Sequence, residues 1–374
     1  MIYRKSLQLL RCAVGSEQFF PEIASQEWPA IYEMAQQQSL TGVLFEAIEG
    51  RGREEIGIPY ELLLEWTVAV EQLNGANKHL NEVSAKVAFH FEKQGFQTCI
   101  LKGQGNALMY PKPECRMPGD VDIWVKPLTD GTDDTNIREI IKHVRKTHPE
   151  AKAIYHHIDA GLYDGVEEEI HYRPSFMFNP VHNHKLQQWY KEKANEQFRN
   201  RVALPDGVGT IAIPTNDFNI IFQLSHIYNH VLHEGIGLRQ IVDYYYLLRK
   251  YKVDGLECKN SSKDIELEKA LRNLGLWKIA MAMMWVLSEV LGLEERYLIT
   301  PKDEKTGKVL LTEILRGGNF GHYDTNNIQA ANSLRRNWQR IKRDIRMMRY
   351  FPSECFWEPV FRVYHFFWRK VYRT

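Results

Sequence analysis

The sequence predicts an α+β fold, with a small mixed sheet of four or five strands between an N-terminal helical region and a larger C-terminal helical domain. Three observations lead there. The stretch from Thr98 to Val125 reads as strand, glycine turn, short helical turn and second strand. Residues 152–172 hold two more runs of β pattern around a break. On either side of this block, apolar residues recur at three- and four-residue steps, the period of an amphipathic helix. The expected division is 1–94 helical, 95–213 α/β core and 214–374 helical.

In the N-terminal region, Leu7, Leu10 and Val14, then Ile31, Met34 and Ala35, then Leu62, Leu63, Trp66, Val70 and Leu73 keep helical spacing. Pro21, Pro29, Gly42 and the 50–59 stretch punctuate them. The longest helix is expected over 60–94 and leads directly into the first strand. This region reads as a helical cap beside the chemistry.

That first strand, Cys99-Ile100-Leu101, stops at Lys102-Gly103-Gln104-Gly105. Glycines without Cβ let backbone N–H groups come close to a phosphate. The second strand carries Asp120 and Asp122, which a period of two places on one face, about 6.5–7 Å apart at Cα. Two such carboxylates repel each other unless a cation lies between them. Mg²⁺, with Mn²⁺ as the alternative, prefers one or two carboxylates plus substrate phosphates. Lys102 and Arg116 would balance phosphate charge, arginine being suited to bidentate contact, with Gln104 and Gly119 beside them.

After a loop over 127–134, a helix is expected over 137–147 with Ile140, Ile141 and Val144 inward. Two strands follow, 152–158 and 165–172, as a hairpin turning at Asp159-Ala160-Gly161. In the second, Glu167, Glu169 and His171 share one face, and Val166, Glu168 and Ile170 the other. Ile170 belongs to the core, so Glu169 and His171 face the metal side and Glu169 becomes the third acid. Glu167 is the fallback ligand, and a solvated edge strand of three glutamates is the plainer alternative. Of His156 and His157, alternation lets one face the site and not the other.

This pattern of LKG, an arginine, Gly119-Asp120-Val121-Asp122 and then Glu169-Ile170-His171 resembles the uncharacterised nucleotidyltransferases, a bacterial branch of the polymerase-beta-like superfamily, from about Gly95 to Asp243. Lys102-Gly103-Gln104 stands where better-studied relatives have Gly-Gly or Gly-Ser. The resemblance implies Mg²⁺-dependent transfer of a nucleoside monophosphate from an NTP to an acceptor hydroxyl or phosphate. Asp120 and Asp122 would hold metal against the triphosphate. Glu169 would bind a second ion and help to activate the attacking hydroxyl, the two ions lying about 3.5–4 Å apart.

Residues 179–200 read as a helix covering the site, and 202–213 as a short hairpin turning at Pro205-Asp206-Gly207. The next helix, capped by Thr215 or Asn216, carries His226, His230 and His233 on one face. A zinc site there lacks an evident fourth ligand, and structural histidines are a second option. The family's histidine helix followed by Arg-x3-Asp implies phosphate or base contact for His226, His230, Arg239 and Asp243. Beyond Leu267 helices continue, with a polar connection expected over 299–327. The last two helices should turn Trp338, Ile341, Ile345 and Met348, then Trp357, Phe361, Tyr364 and Trp368, to one side and arginines to the other.

Composition sets outer bounds. Apolar residues make up 44% and charged residues 25% of the 374, as in ordinary globular chains rather than disordered ones. Five scattered cysteines without metal spacing suggest reduced thiols and a cytoplasmic location. No run approaches the roughly 18 apolar residues of a membrane span. The net charge of +1 hides eleven Lys and Arg against three acids from Arg335 onward, a local +8 that leaves −7 for residues 1–334. Such an end could meet a membrane surface or RNA, but packing on its own domain is preferred. Two other classes stay open: a non-catalytic nucleotide-binding regulatory module, and an Asp-x-Asp glycosyltransferase, although helices and strands do not alternate here as that fold requires.

Overall fold

Helical periodicity in the N-terminal region becomes α1 (Ile2–Ala13), α2 (Trp28–Gln37), α3 (Thr41–Glu46), α4 (Arg53–Ile56) and the long α5 (Tyr60–Lys93). The structure, a computed structural model, describes residues 2–129, 131–233, 235–254, 262–317 and 333–372. Trp28 and Trp66 are fully enclosed, and the Trp66 indole N–H donates to the Thr41 carbonyl at 2.9 Å. Each such side chain contributes roughly 1.5–3 kcal/mol by burial. The apolar core runs without a break from Leu9 to Tyr372.

The main sheet has the order β1-β2-β4-β3, from β1 (Phe96–Ile100), β2 (Val121–Pro127), β3 (His157–Tyr163) and β4 (Val166–His171). β1 and β2 are antiparallel neighbours, β2 and β4 run parallel, and β3 returns antiparallel to β4. Between β1 and β2 lies the short α6 (Gly103–Ala107), and between β2 and β3 the amphipathic α7 (Asp133–Thr147). Ile123, Ile158 and Ile170 are completely buried. Trp124, of opposite parity, packs on Phe198 and Phe218. Those two residues belong to α8 (Pro180–Arg199) and α9 (Asn216–His233), so α8 and α9 cover the second face of the sheet, the face of Asp122 and Trp124. β5 (Arg201–Ala203) and β6 (Thr210–Ala212) form the short hairpin, with Pro205–Gly207 at its turn.

The β3–β4 hairpin differs from expectation. Its turn is Asp164-Gly165, with φ of 52° and 84°, the left-handed pair that a two-residue hairpin demands. Asp159-Ala160-Gly161 is instead a bulge within β3, where Gly161 takes φ 86°. A bulge re-aims the side chains beside it.

The C-terminal part continues as α10 (Leu238–Asp254), α11 (Ser262–Asn273), α12 (Trp277–Leu291), α13 (Glu304–Gly317), α14 (Ser333–Met348) and α15 (Pro352–Val371). The polar connection expected from 299 is thus helical over Glu304–Gly317, burying Leu310 and Ile314. Residues 318–327 of that connection, Cys258, Arg373 and the facing of Trp338 lie outside the described residues. In α15, Phe361 and Trp368 are buried as expected, but Tyr364 is half exposed. Its outward face carries Phe356, Val360, Val363 and Phe367 rather than an arginine row. Ile345 of α14 is likewise exposed, and Arg343 and Asp344 are buried in its place. No single helix among the described residues is long and apolar enough to cross a membrane; the bent pair α11 and α12 passes only when joined across a 119° break.

Candidate active site

Parallel pairing sets Asp122 directly opposite Glu169, and Trp124 opposite His171. Adjacent strands lie about 4.8 Å apart, so the register alone brings the two carboxylates together on the α8/α9 side. His171 Nε2 lies 3.0 Å from Asp122 Oδ1 and 3.3 Å from Glu169 Oε2. Its Nδ1 approaches the Arg173 carbonyl at 3.3 Å, which fixes the ring. Lys102, just before α6, places Nζ 2.7 Å from Asp122 Oδ1 and 3.3 Å from His226 Nε2.

These contacts set the charges. Burial works against the His171 imidazolium, but its hydrogen bonds to Asp122 and Glu169 push it up to about 9. Burial would raise Glu169, yet His171, His157 and Lys102 hold it down at about 2. Asp122 is lowered in the same way by Lys102 and His171, against burial. Lys102 is raised, because Asp122, Asp120 and Glu169 outweigh its desolvation. His226 is kept neutral by burial and by the neighbouring ammonium, so its Nε2 accepts from Lys102.

Asp122 is therefore not left facing an unscreened like charge. Asp120 sits one residue ahead of β2, partly exposed, and it is Asp122, Glu169 and His171 whose ligand atoms lie within 4.8 Å of one another. Two carboxylate oxygens and an imidazole nitrogen converging so closely suit a divalent cation. Asp122 and Glu169 could hold one, in the position whose positive charge Lys102 and the His171 proton now supply.

The remaining expected residues divide into two groups. Gly103 opens α6 with φ 49°, a conformation that glycine adopts freely. At Gly105, a Cβ would press on Ile213 Cγ2 at 3.0 Å, so its small size serves packing. Gln104 turns away from Asp122 and donates to Asn81 Oδ1 and the Asn77 carbonyl of α5. Arg116 and Asp243, both expected on phosphate or base, are bound to each other. Nε and Nη2 reach Oδ1 and Oδ2 at 2.8 and 2.9 Å, and Tyr110 and Asn106 complete the carboxylate's shell. Neither is free for a substrate.

Arg239 differs from them. Nη1 donates to the Met117 and Pro118 carbonyls at 3.2 and 3.5 Å, next to Gly119. Nε is buried without a hydrogen-bond partner among the described residues. Burial first, and Arg116 second, lower its pKa against the opposing pull of Asp243 and Asp120, and the guanidinium stays charged.

Of the three helix histidines, His226 and His230 stack edge to face at 4.3 Å on the Lys102 side. His233 turns to Phe178 and Glu358. The sequence reading left one of His156 and His157 outside the site, whereas both have a nitrogen within 4.8 Å of a His171 nitrogen. His156 precedes β3, where strand alternation does not apply. Asp159, read as a turn residue, places Oδ1 at an ion-pair distance of 3.0 Å from His157 Nε2. An acidic residue two positions beyond a histidine was the available signal.

A sequence model described as "uncharacterised nucleotidyltransferase" matches residues 24–282. The chain belongs to the uncharacterised nucleotidyltransferase family. The match takes in α2–α5 as well as the sheet, and it ends within α12. A solved structure, of an antigenic nucleotidyltransferase-like protein from Paracoccidioides brasiliensis, is similar at 15% identity over 61% of this chain and 95% of that chain, with a TM-score of 0.32. No curated protein matches. The family supports a role in nucleotidyl transfer.

Proposed function

We propose that the protein transfers a nucleoside monophosphate from an NTP to an acceptor hydroxyl or phosphate, with Mg²⁺ as its cation and Asp122 and Glu169 as the principal carboxylates. The observation that carries this reading is the register pairing of those two residues beside Lys102. A cation held there would neutralise triphosphate charge and acidify the attacking hydroxyl. In the reaction the acceptor oxygen, an acceptor hydroxyl releasing its proton to solvent, forms a bond to the α-phosphorus, the bond from that phosphorus to the bridging oxygen breaks, and pyrophosphate leaves.

The chain's own residues orient this. Lys102, already among carboxylates, exchanges Asp122 for phosphate oxygens. Arg239 offers the guanidinium with spare hydrogen-bonding capacity, in the role first assigned to Arg116. Arg116 and Asp243 brace the loop that carries Gly119 and Asp120. Glu169, held at about 2, is a weak base at neutral pH and suits cation binding better than proton removal. Asp120 can join the cation once the triphosphate draws Lys102 away.

Calorimetry with each of the four NTPs, with and without Mg²⁺, tests the first half of the reading. Labelled NTP incubated with the protein and cell extract, followed by mass spectrometry, tests the second. A mass increment of one nucleoside monophosphate on any metabolite or protein supports transfer. Absence of Mg²⁺-dependent NTP binding overturns it.

A further inference from the structure

We infer that His156, His157 and His171 form a second cation position, one that accepts a nitrogen-binding transition-metal dication such as Zn²⁺ or Co²⁺, beside the carboxylate position of Asp122 and Glu169. One ring nitrogen from each histidine lies within 4.8 Å of the others, and the ring centroids are 4.4, 5.1 and 5.5 Å apart.

The surroundings of the rings favour it. His157 has Nε2 at an ion-pair distance of 3.0 Å from Asp159 Oδ1. Its Nδ1 lies 3.3 Å from Glu169 Oε2 without hydrogen-bond geometry. The residue is buried, with 8% of its surface exposed. A ring nitrogen and a carboxylate oxygen at that distance with no hydrogen bond between them are placed as two ligands of one ion would be. His156 Nδ1 is also enclosed without a hydrogen-bond partner. His171 holds Nδ1 on the Arg173 carbonyl, and its Nε2, now on Asp122 Oδ1 and Glu169 Oε2, is the nitrogen that this ion would take.

A carboxylate or a backbone carbonyl on the far ring nitrogen is how metal-binding histidines are oriented. Here Asp159 and the Arg173 carbonyl occupy those places. Three imidazoles with the Glu169 carboxylate beside them suit Zn²⁺ or Co²⁺, whereas Mg²⁺ prefers oxygen. Asp159 lies two residues beyond His157 in β3, ahead of the bulge, and so on the same strand face. The position deepens the nucleotidyl-transfer reading by supplying a cation next to the first, yet metal binding stands or falls without it.

The test uses the full chain after chelator dialysis, titrated with Co²⁺ and followed by its visible ligand-field absorption, then with Zn²⁺ and Mg²⁺ by calorimetry. His156→Asn and His157→Asn should each weaken Co²⁺ and Zn²⁺ binding by at least about tenfold and leave Mg²⁺ binding unchanged. Asp159→Asn, which only orients His157, should cost about 10-fold or more in affinity while the absorption band persists. Melting temperatures measured alongside confirm folded variants. Should Co²⁺ bind both histidine variants as tightly as the parent chain, or give only the weak bands of an all-oxygen site, the inference falls. Because no arm reads NTP turnover, that result leaves the nucleotidyl-transfer reading to its own test.

Discussion

Arg116 and Asp243 are joined by two parallel hydrogen bonds across 127 residues of chain, and both side chains are almost completely enclosed. The pair ties the loop ahead of β2 to α10. Asp243→Ala should destabilise the protein by about 3–5 kcal/mol, because it strands a buried guanidinium. Replacing both residues by apolar ones of similar volume should recover much of that loss. Denaturant unfolding of the two single variants and the double variant measures it. A single variant as stable as the parent would show that the pair is replaceable by water.

Glu169 and Glu168 should behave oppositely. Glu169 faces Asp122, and Glu168 points to the other side and is buried. Glu169→Gln is expected to abolish metal-dependent NTP turnover, and Glu168→Gln to leave it within a few-fold. Single-turnover assays decide the matter, and equal losses would mean that the strand face has been misassigned.

Asp122→Ala should lower the melting temperature as well as abolish metal-dependent NTP binding. The two aspartates would strain each other only if no cation lay near, and Lys102 and His171 both contact Asp122. Removal leaves these two cations without their shared partner, at a cost of several kcal/mol. An unchanged melting temperature would indicate that Lys102 simply swings into solvent.

Glu46 gives a pH signature. Burial is the main cause that raises its carboxyl from 4.5 to about 7, with Glu49 and Glu114 adding to it and Lys112 opposing. The folded state therefore holds a proton that the unfolded state has released, so stability falls as pH rises from about 4.5 to about 7. Glu46→Gln should raise the melting temperature above pH 7 and leave it nearly unchanged below pH 4.5. Its gain is at most about 3 kcal/mol and smaller after solvent screening. A gain that does not vary with pH would assign the effect to packing.

Gly42→Ala reports on the N-terminal helices. A Cβ there would overlap the Cys115 carbonyl, one residue before Arg116. The backbone must shift, which costs roughly 1–3 kcal/mol or more, and NTP affinity should fall with stability. Stability loss alone would separate α3 from the site.

Most of the site was legible because strand alternation is a local rule. Asp122, Glu169 and His171 share a face by parity, and nothing distant overrides it. The partners of Arg116, Gln104 and Asp243 were not legible, since each meets a residue that the sequence places far away: Gln104 finds α5, and Arg116 finds α10. The Asp164-Gly165 turn is encoded in its dipeptide, but Asp159-Ala160-Gly161 carries turn-forming residues too, and local composition does not separate a turn from a bulge. In α15 the hydrophobic pattern runs nearly all the way round, so spacing could not choose which apolar residues face inward. Glu354 makes that choice, accepting from the N–H groups of Phe178 and Asn179 at 2.6 and 3.0 Å.

The same long reach between contacting residues governs how the molecule comes into being. Lys102 meets His226 across 124 residues, and Asp122 meets His171 across 49. Closing such loops costs entropy before any contact rewards it, and a parallel strand pair is slow to form. At a ribosome adding about 5–20 residues per second, the β2–β4 pairing becomes available several seconds before α10 emerges to clamp Arg116. For that interval a nascent chain carries its carboxylates without the brace. Helpers that shield apolar surface during synthesis would then act chiefly on chains whose α10 has not yet been made.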